Sequence, residues 1–181
     1  MFDTRRLEAR CRRAYEAGRL RQALLGALLV PVLALAALAL GAERTTVGTV
    51  VPGLSILVVG LLWVGGVVAR GVRPGLLAGL GPLALPLLTM QVADGYCTPG
   101  LCQALCLWSC AGSGGVAAGL VLWATARLRA RRLPAVAIGI GLAGFTGAMG
   151  CAPFGWLGLA GMTAGLAVGM APALFLTLRR A

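Results

Sequence analysis

Long apolar runs broken by short polar ones cover the chain from Ala23 onward, and only the first twenty-two residues are polar over any length. In that opening stretch Asp3 or Thr4 can cap a helix, and Leu7, Cys11, Ala14, Tyr15 and Gly18 recur at helical spacing, so it predicts one helix with a thin apolar face. The apolar runs then predict six spans, at about 23–42, 47–69, 75–92, 101–126, 133–150 and 155–178. Each is close to the roughly 20 residues that a helix needs to cross a bilayer. Pro31, inside the first span, is tolerable where neighbouring helices satisfy the freed backbone. That run also exceeds the roughly 7 to 15 residues of a signal-peptide core, so it reads as a retained span.

The polar breaks orient these spans. With six crossings, the amino terminus, the breaks near 70–73 and 127–132, and the carboxyl terminus share a side, and they hold every one of the 16 arginines except Arg44. Positive residues collect on the cytoplasmic side of membrane proteins. Both termini are therefore expected in the cytoplasm, with the turns at 43–46, 93–100 and 151–154 outside. The predicted fold is all-α: a polytopic membrane protein with a short arginine-rich cytoplasmic helix over 1–22 and a six-span bundle over 23–181.

Composition supports a bilayer and excludes an ordinary soluble globule. Hydrophobic residues make up 59% of the 181 positions and charged ones 12%, with 28 glycines, too few charges to clothe a water-facing surface. The net charge of +11 would suit nucleic acid. The arginines nevertheless fall in clusters between apolar runs, and no soluble nucleic-acid-binding module is present, so direct nucleic-acid binding is not expected. Histidine is absent, which removes imidazole general bases, Ser-His-Asp and Cys-His nucleophiles and every zinc site containing an imidazole. No catalytic residues and no cofactor are expected, and the reading is non-enzymatic.

Several features could still carry function. The arginines of 1–22 suit anionic headgroups of membrane lipid; alternatively Leu7, Arg10, Arg13 and Tyr15 form a docking face for a cytoplasmic protein. Gly75 with Gly79, Gly115 with Gly119, and Gly161, Gly165 and Gly169 stand four apart, the spacing that lets helix backbones approach, either within the bundle or in a homo-oligomer. Glu43, Asp94 and the arginines all lie at span ends, which disfavours ion-coupled transport, although Thr89, Gln91, Gln103, Ser109, Ser113 and Thr146 could line a polar path.

The cysteines are the strongest chemical signal. Cys102, Cys106 and Cys110 make one helical stripe that descends about 6 Å per step. Only Cys97, Cys102 and Cys151 are expected near the oxidising outer face, which leaves a disulfide among those three, with Cys151 to Cys102 favoured and Cys97 second. Cys106 and Cys110 read as small buried apolar residues, too deep to reach Cys151. An alternative makes Cys102, Cys106 and Cys110, helped by Met90 or Met149, a ladder for copper(I) or mercury(II). Cys11 is expected in the reducing cytoplasm.

The segment LCQALCLWSCAGSGGVAAGLVLWATARLRARRLPAVAIGIGLAGFTGAMGCAPFGW resembles the NrsF-type family of six-span bacterial inner-membrane proteins, which act as negative regulators of extracytoplasmic-function sigma factors. Cys102 or Cys106 matches the cysteine that opens a late span in that family, and Cys151 matches the one that follows the next span. Here Ala152, Pro153, Phe154 and Gly155 stand where the family usually has a proline followed by an acid. The resemblance implies a bacterial inner-membrane location, a cytoplasmic sigma factor held inactive by residues 2–22 with the other cytoplasmic loops, and release through a change at Cys102 and Cys151. Without histidine, the zinc-binding type of anti-sigma factor is excluded. A small transporter or soft-metal-handling protein, and an accessory membrane protein without a ligand, are the other readings.

Overall fold

A computed structural model of the chain describes residues 4–93, 99–126 and 132–178. Seven helices account for nearly all of it: α1 (Thr4–Ala27), α2 (Leu29–Ala39), α3 (Arg44–Val64), α4 (Gly66–Ala93), α5 (Pro99–Thr125), α6 (Arg132–Cys151) and α7 (Gly155–Leu178), with a single 3₁₀ turn at Ala152–Phe154 between the last two. No strand occurs among the described residues. Five helical stretches are long and apolar enough to cross a membrane: Arg10–Ala39, Arg44–Val64, Gly66–Val92, Ala104–Thr125 and Leu133–Pro172. The last contains the 3₁₀ turn.

Proline and glycine set the breaks. α1 runs from the polar stretch into the apolar one and stops at Ala27, four residues before Pro31. A proline ring clashes with the carbonyl four positions back and supplies no N–H for it, so the first expected span is divided there. The boundary between the next two differs from the expectation. The arginines at 70 and 73 suggested a connection there, but the chain turns at Gly65 and Gly66, whose φ values are 71° and 65°, a backbone that favours glycine. Arg70 and Arg73 consequently sit in the opening turns of α4.

α4 packs most extensively on α6, and α5 on α7. Gly71 abuts Ala135 and Gly75 abuts Gly139, while Gly161 abuts Leu107, Gly165 abuts Ala111 and Gly169 abuts Gly115. In both pairs residue numbers rise together, so the helices run parallel. A Cβ at Gly75 would lie 2.5 Å from Gly139 O, and one at Gly169 2.7 Å from Gly115 O. Contact this close adds dispersion where lipid removes most of the hydrophobic drive. These stripes therefore pack within the chain, whereas Gly119, read into the same pattern, has open space beside it. α6 lies antiparallel to α5, because Gly139 meets Val121 at one end and Cys151 meets Cys110 further along.

One end of the bundle carries Arg19, Arg70, Arg73 and the exposed rings of Trp63 and Trp123; the other carries Glu43, Arg44 and the exposed Trp156. Gln91 Nε2 donates to Leu40 O at 3.0 Å and ties the far end of α4 to the last turn of α2.

Candidate functional site

Two places gather chemistry. The first lies halfway along α5, where Cys110 and Cys151 meet. Both are unbonded thiols with 0% of their surface exposed, and they share one buried cluster with Ala117, Val121, Ala143 and Met162. Cys106, also buried, stands one helical turn away on α5.

Local backbone chemistry brings Cys151 there. Pro86 has no N–H to offer the carbonyl of Pro82, four residues earlier, so that oxygen is left free inside α4. Cys151 Sγ points at it from 3.8 Å. Gly150 permits the approach, since a Cβ on it would come within 2.5 Å of the Pro82 and Leu83 carbonyl oxygens. The end of α6 is thus pinned beside the middle of α4, and α4 continues from Leu83 to Ala93, about 15 Å further at helical rise.

This arrangement overturns one expectation about depth. Measured from a common starting level, Cys110 is too deep to reach Cys151; the structure brings those two together, because α6 ends short of its neighbours. Cys97 lies outside the described residues, as do the side chains of Leu7, Cys102 and Gln103. Among the described residues no three histidine, cysteine, aspartate or glutamate side chains gather as a metal site. The residues considered for a polar path are committed to backbone: Thr89 donates to Pro86 O at 2.7 Å, Ser113 to Cys110 O at 3.1 Å and Thr146 to Leu142 O at 2.9 Å. Gln91 is held by Leu40, and Ser109 Oγ is buried without a partner among the described residues.

The second place is an open cleft of about 950 Å³ at the arginine end, between α1, the α3–α4 turn and the last turns of α5. Tyr15, Arg19, Gln22, Arg70 and Arg73 supply its polar lining, and Leu62, Leu77, Leu120 and Trp123 its apolar walls. Arg19 is placed by a second orphan carbonyl. α3 stops at Val64, so Trp63 O has no helical donor, and the Arg19 guanidinium donates to it. The same guanidinium sits 5.7 Å from the centroid of the Tyr15 ring, one turn back on α1.

Of the residues expected to dock a partner, Tyr15 lines this cleft, whereas Arg10 and Arg13 are exposed on α1 outside it. Arg12 pairs with Glu16 at 3.1 Å, and Cys11 is exposed. The sequence reading did not single out Arg19, Arg70, Arg73 or Trp123 as one site. The Gly65-Gly66 dipeptide, a turn signal, was the feature that would have placed Arg70 and Arg73 beside α1. Comparison with protein-family models, curated proteins and solved structures returned no match.

Proposed function

We propose that the protein is a non-enzymatic regulator in a bacterial inner membrane, an anti-sigma type of protein that crosses the bilayer six times with both termini in the cytoplasm. A thiol-dependent signal would reach a cytoplasmic partner through helix packing. The crossing number is supported by direction: α5 is antiparallel to α6 and parallel to α7, which treats the apolar stretch Leu133–Pro172 as two crossings rather than one. The orientation is supported by the grouping of Arg19, Arg70 and Arg73 at one end and Arg44 at the other.

The observation that carries the regulatory reading is the meeting of Cys110 and Cys151, two free thiols on helices that belong to different packed pairs. A disulfide there would tie the α5–α7 pair to the α4–α6 pair. Forming it removes two protons and two electrons and makes one S–S bond; a membrane quinone is an acceptor of the right kind for thiols buried this far along a helix. The tie would bias how α4 sits against α6, and α4 carries Arg70 and Arg73 into the cleft beside α1. Two packings of these pairs, one for each thiol state, would be the element that passes the signal.

The protein is to be purified from cells with its cytoplasmic partners, once reduced and once oxidised, and the bound proteins identified by mass spectrometry. A sigma factor retained in the reduced sample and lost on oxidation is expected, with loss abolished in Cys110→Ser. No sigma factor in either sample removes the anti-sigma reading. Stoichiometric copper or mercury bound to the thiols would favour soft-metal handling instead.

A further inference from the structure

We propose that the cleft at the arginine end is a binding site for an anionic phospholipid, with the headgroup phosphate held by Arg70, Arg73 and Arg19 and an acyl chain laid along Leu77, Leu120 and Trp123. The site does not depend on the regulatory reading. Among the described residues three guanidinium groups line the cleft and no carboxylate does; Glu16 is engaged by Arg12, and Glu43 stands at the start of α3, at the opposite end of the bundle. A cavity with that charge and no internal counter-ion calls for an anion.

The shape narrows the choice to an amphiphile. The walls below the arginines are apolar, Leu77 and Trp123 are 59% and 78% exposed, and the cleft is open along that side, where a bilayer would place acyl chains. Trp123 also has the ring type that settles at the headgroup level of a membrane. A free phosphate would use the guanidinium groups alone and leave most of the roughly 950 Å³ unfilled. A phospholipid uses both halves. Arg19 is partly spent on Trp63 O, which fixes its position in the cleft, while Arg70 and Arg73 have no hydrogen bond or ion pair among the described residues and are the groups that bind.

The full-length protein in detergent is to be titrated with phosphatidylglycerol and, separately, with phosphatidylcholine, and bound lipid counted by native mass spectrometry. A preference of about thirtyfold for phosphatidylglycerol is expected from two exposed arginines. It should fall to within about twofold in the Arg70→Gln/Arg73→Gln double variant and persist in Arg10→Gln/Arg13→Gln, whose arginines lie outside the cleft. Equal retention of the two lipids by the native protein, or an undiminished preference in the Arg70/Arg73 variant, overturns the proposal. Displacement of the lipid by millimolar inorganic phosphate does so as well, since it would mark a site for small anions. If the double variant does not fold, phosphatidylglycerol with brominated acyl chains gives a second measure. It should quench tryptophan emission, and Trp123→Phe should remove most of that quenching; quenching unchanged in Trp123→Phe counts against the site.

Discussion

Glycine recurs through both α3 and the α4–α7 bundle, yet a Cβ added at Gly48, Gly53 or Gly60 would meet nothing within 4 Å, whereas at Gly75, Gly165 or Gly169 it would run into a neighbouring backbone. Burial divides the same way. Of an 18-residue apolar window of α3, 17% is buried inside the protein, against 61% of such a window within Leu133–Pro172, the stretch that holds α6 and most of α7. α3 turns Ile56 and Val64 outward and is joined to its neighbours by few close approaches. The lesson is that a small residue in a membrane helix means close packing only where a neighbouring helix lies against that face. Gly71 and Gly75 of α4 find Ala135 and Gly139 of α6; Gly48, Gly53 and Gly60 of α3 find no such neighbour.

The comparison breaks altogether if α6 and α7 do not cross separately. Alkaline phosphatase fused after Thr46, Gly95 or Pro153 should be active, and fused after Arg73 or Arg132 it should be inactive, an all-or-none difference in enzyme activity. Activity after Arg132 together with inactivity after Pro153 would end the six-crossing arrangement.

Substitution sharpens the contrast next. Gly165→Leu forces a side chain into the Ala111 backbone and should destabilise the protein by about 3 kcal/mol or more. Gly53→Leu adds a side chain in open space and should change stability by less than about 0.5 kcal/mol. Denaturation in mixed micelles followed by circular dichroism measures both, and equal effects would remove the distinction between the halves. Gly65→Ala should fall between them, at about 2 kcal/mol, because Gly65 has φ 71° and ψ −156°, a conformation that is nearly glycine's alone. The smallest measurable effect is expected for Arg19→Gln, about 1 kcal/mol, from the hydrogen bond lost at Trp63 O.

Much of the helical layout was legible because apolar length and arginine position are local signals. The end of α6 at Cys151 and the extent of α7 over Gly155–Leu178 lie within a residue or so of the expected spans. The stripes around Gly75 and Gly165 were also readable from spacing alone. Charge misled at the α3–α4 boundary, since arginines report where a helix meets the headgroups and not where its backbone turns. The backbone turned at Gly65, where the positive φ is allowed.

The thiol pair was hidden for a different reason. Its position depends on Pro86 freeing a carbonyl of α4, on Gly150 giving access to it, and on how far α6 falls short of α4. Each is visible in the sequence singly, but none has meaning until α4 and α6 are known to be neighbours. The most extensive packing joins alternate helices, α4 to α6 and α5 to α7. The three orphan carbonyls of Trp63, Leu40 and Pro82, met by Arg19, Gln91 and Cys151 in turn, show the same dependence: each satisfying residue is remote in sequence from the carbonyl it reaches.

The alternate pairing of α4 with α6 and of α5 with α7 also sets an order of assembly during synthesis. When α4 leaves the ribosome, the glycines that will receive α6 have no partner, and they wait while the whole of α5 and the first half of α6 are made. At about 5 to 20 residues per second that interval is on the order of several seconds. Over that time α4 and α5 rest on each other, on the earlier helices α2 and α3, and on lipid. A nascent chain stopped after Thr125 would therefore present the stripe of Gly71, Gly75 and Gly79 bare, open to whichever quality-control protease or insertion chaperone surveys unpaired helices.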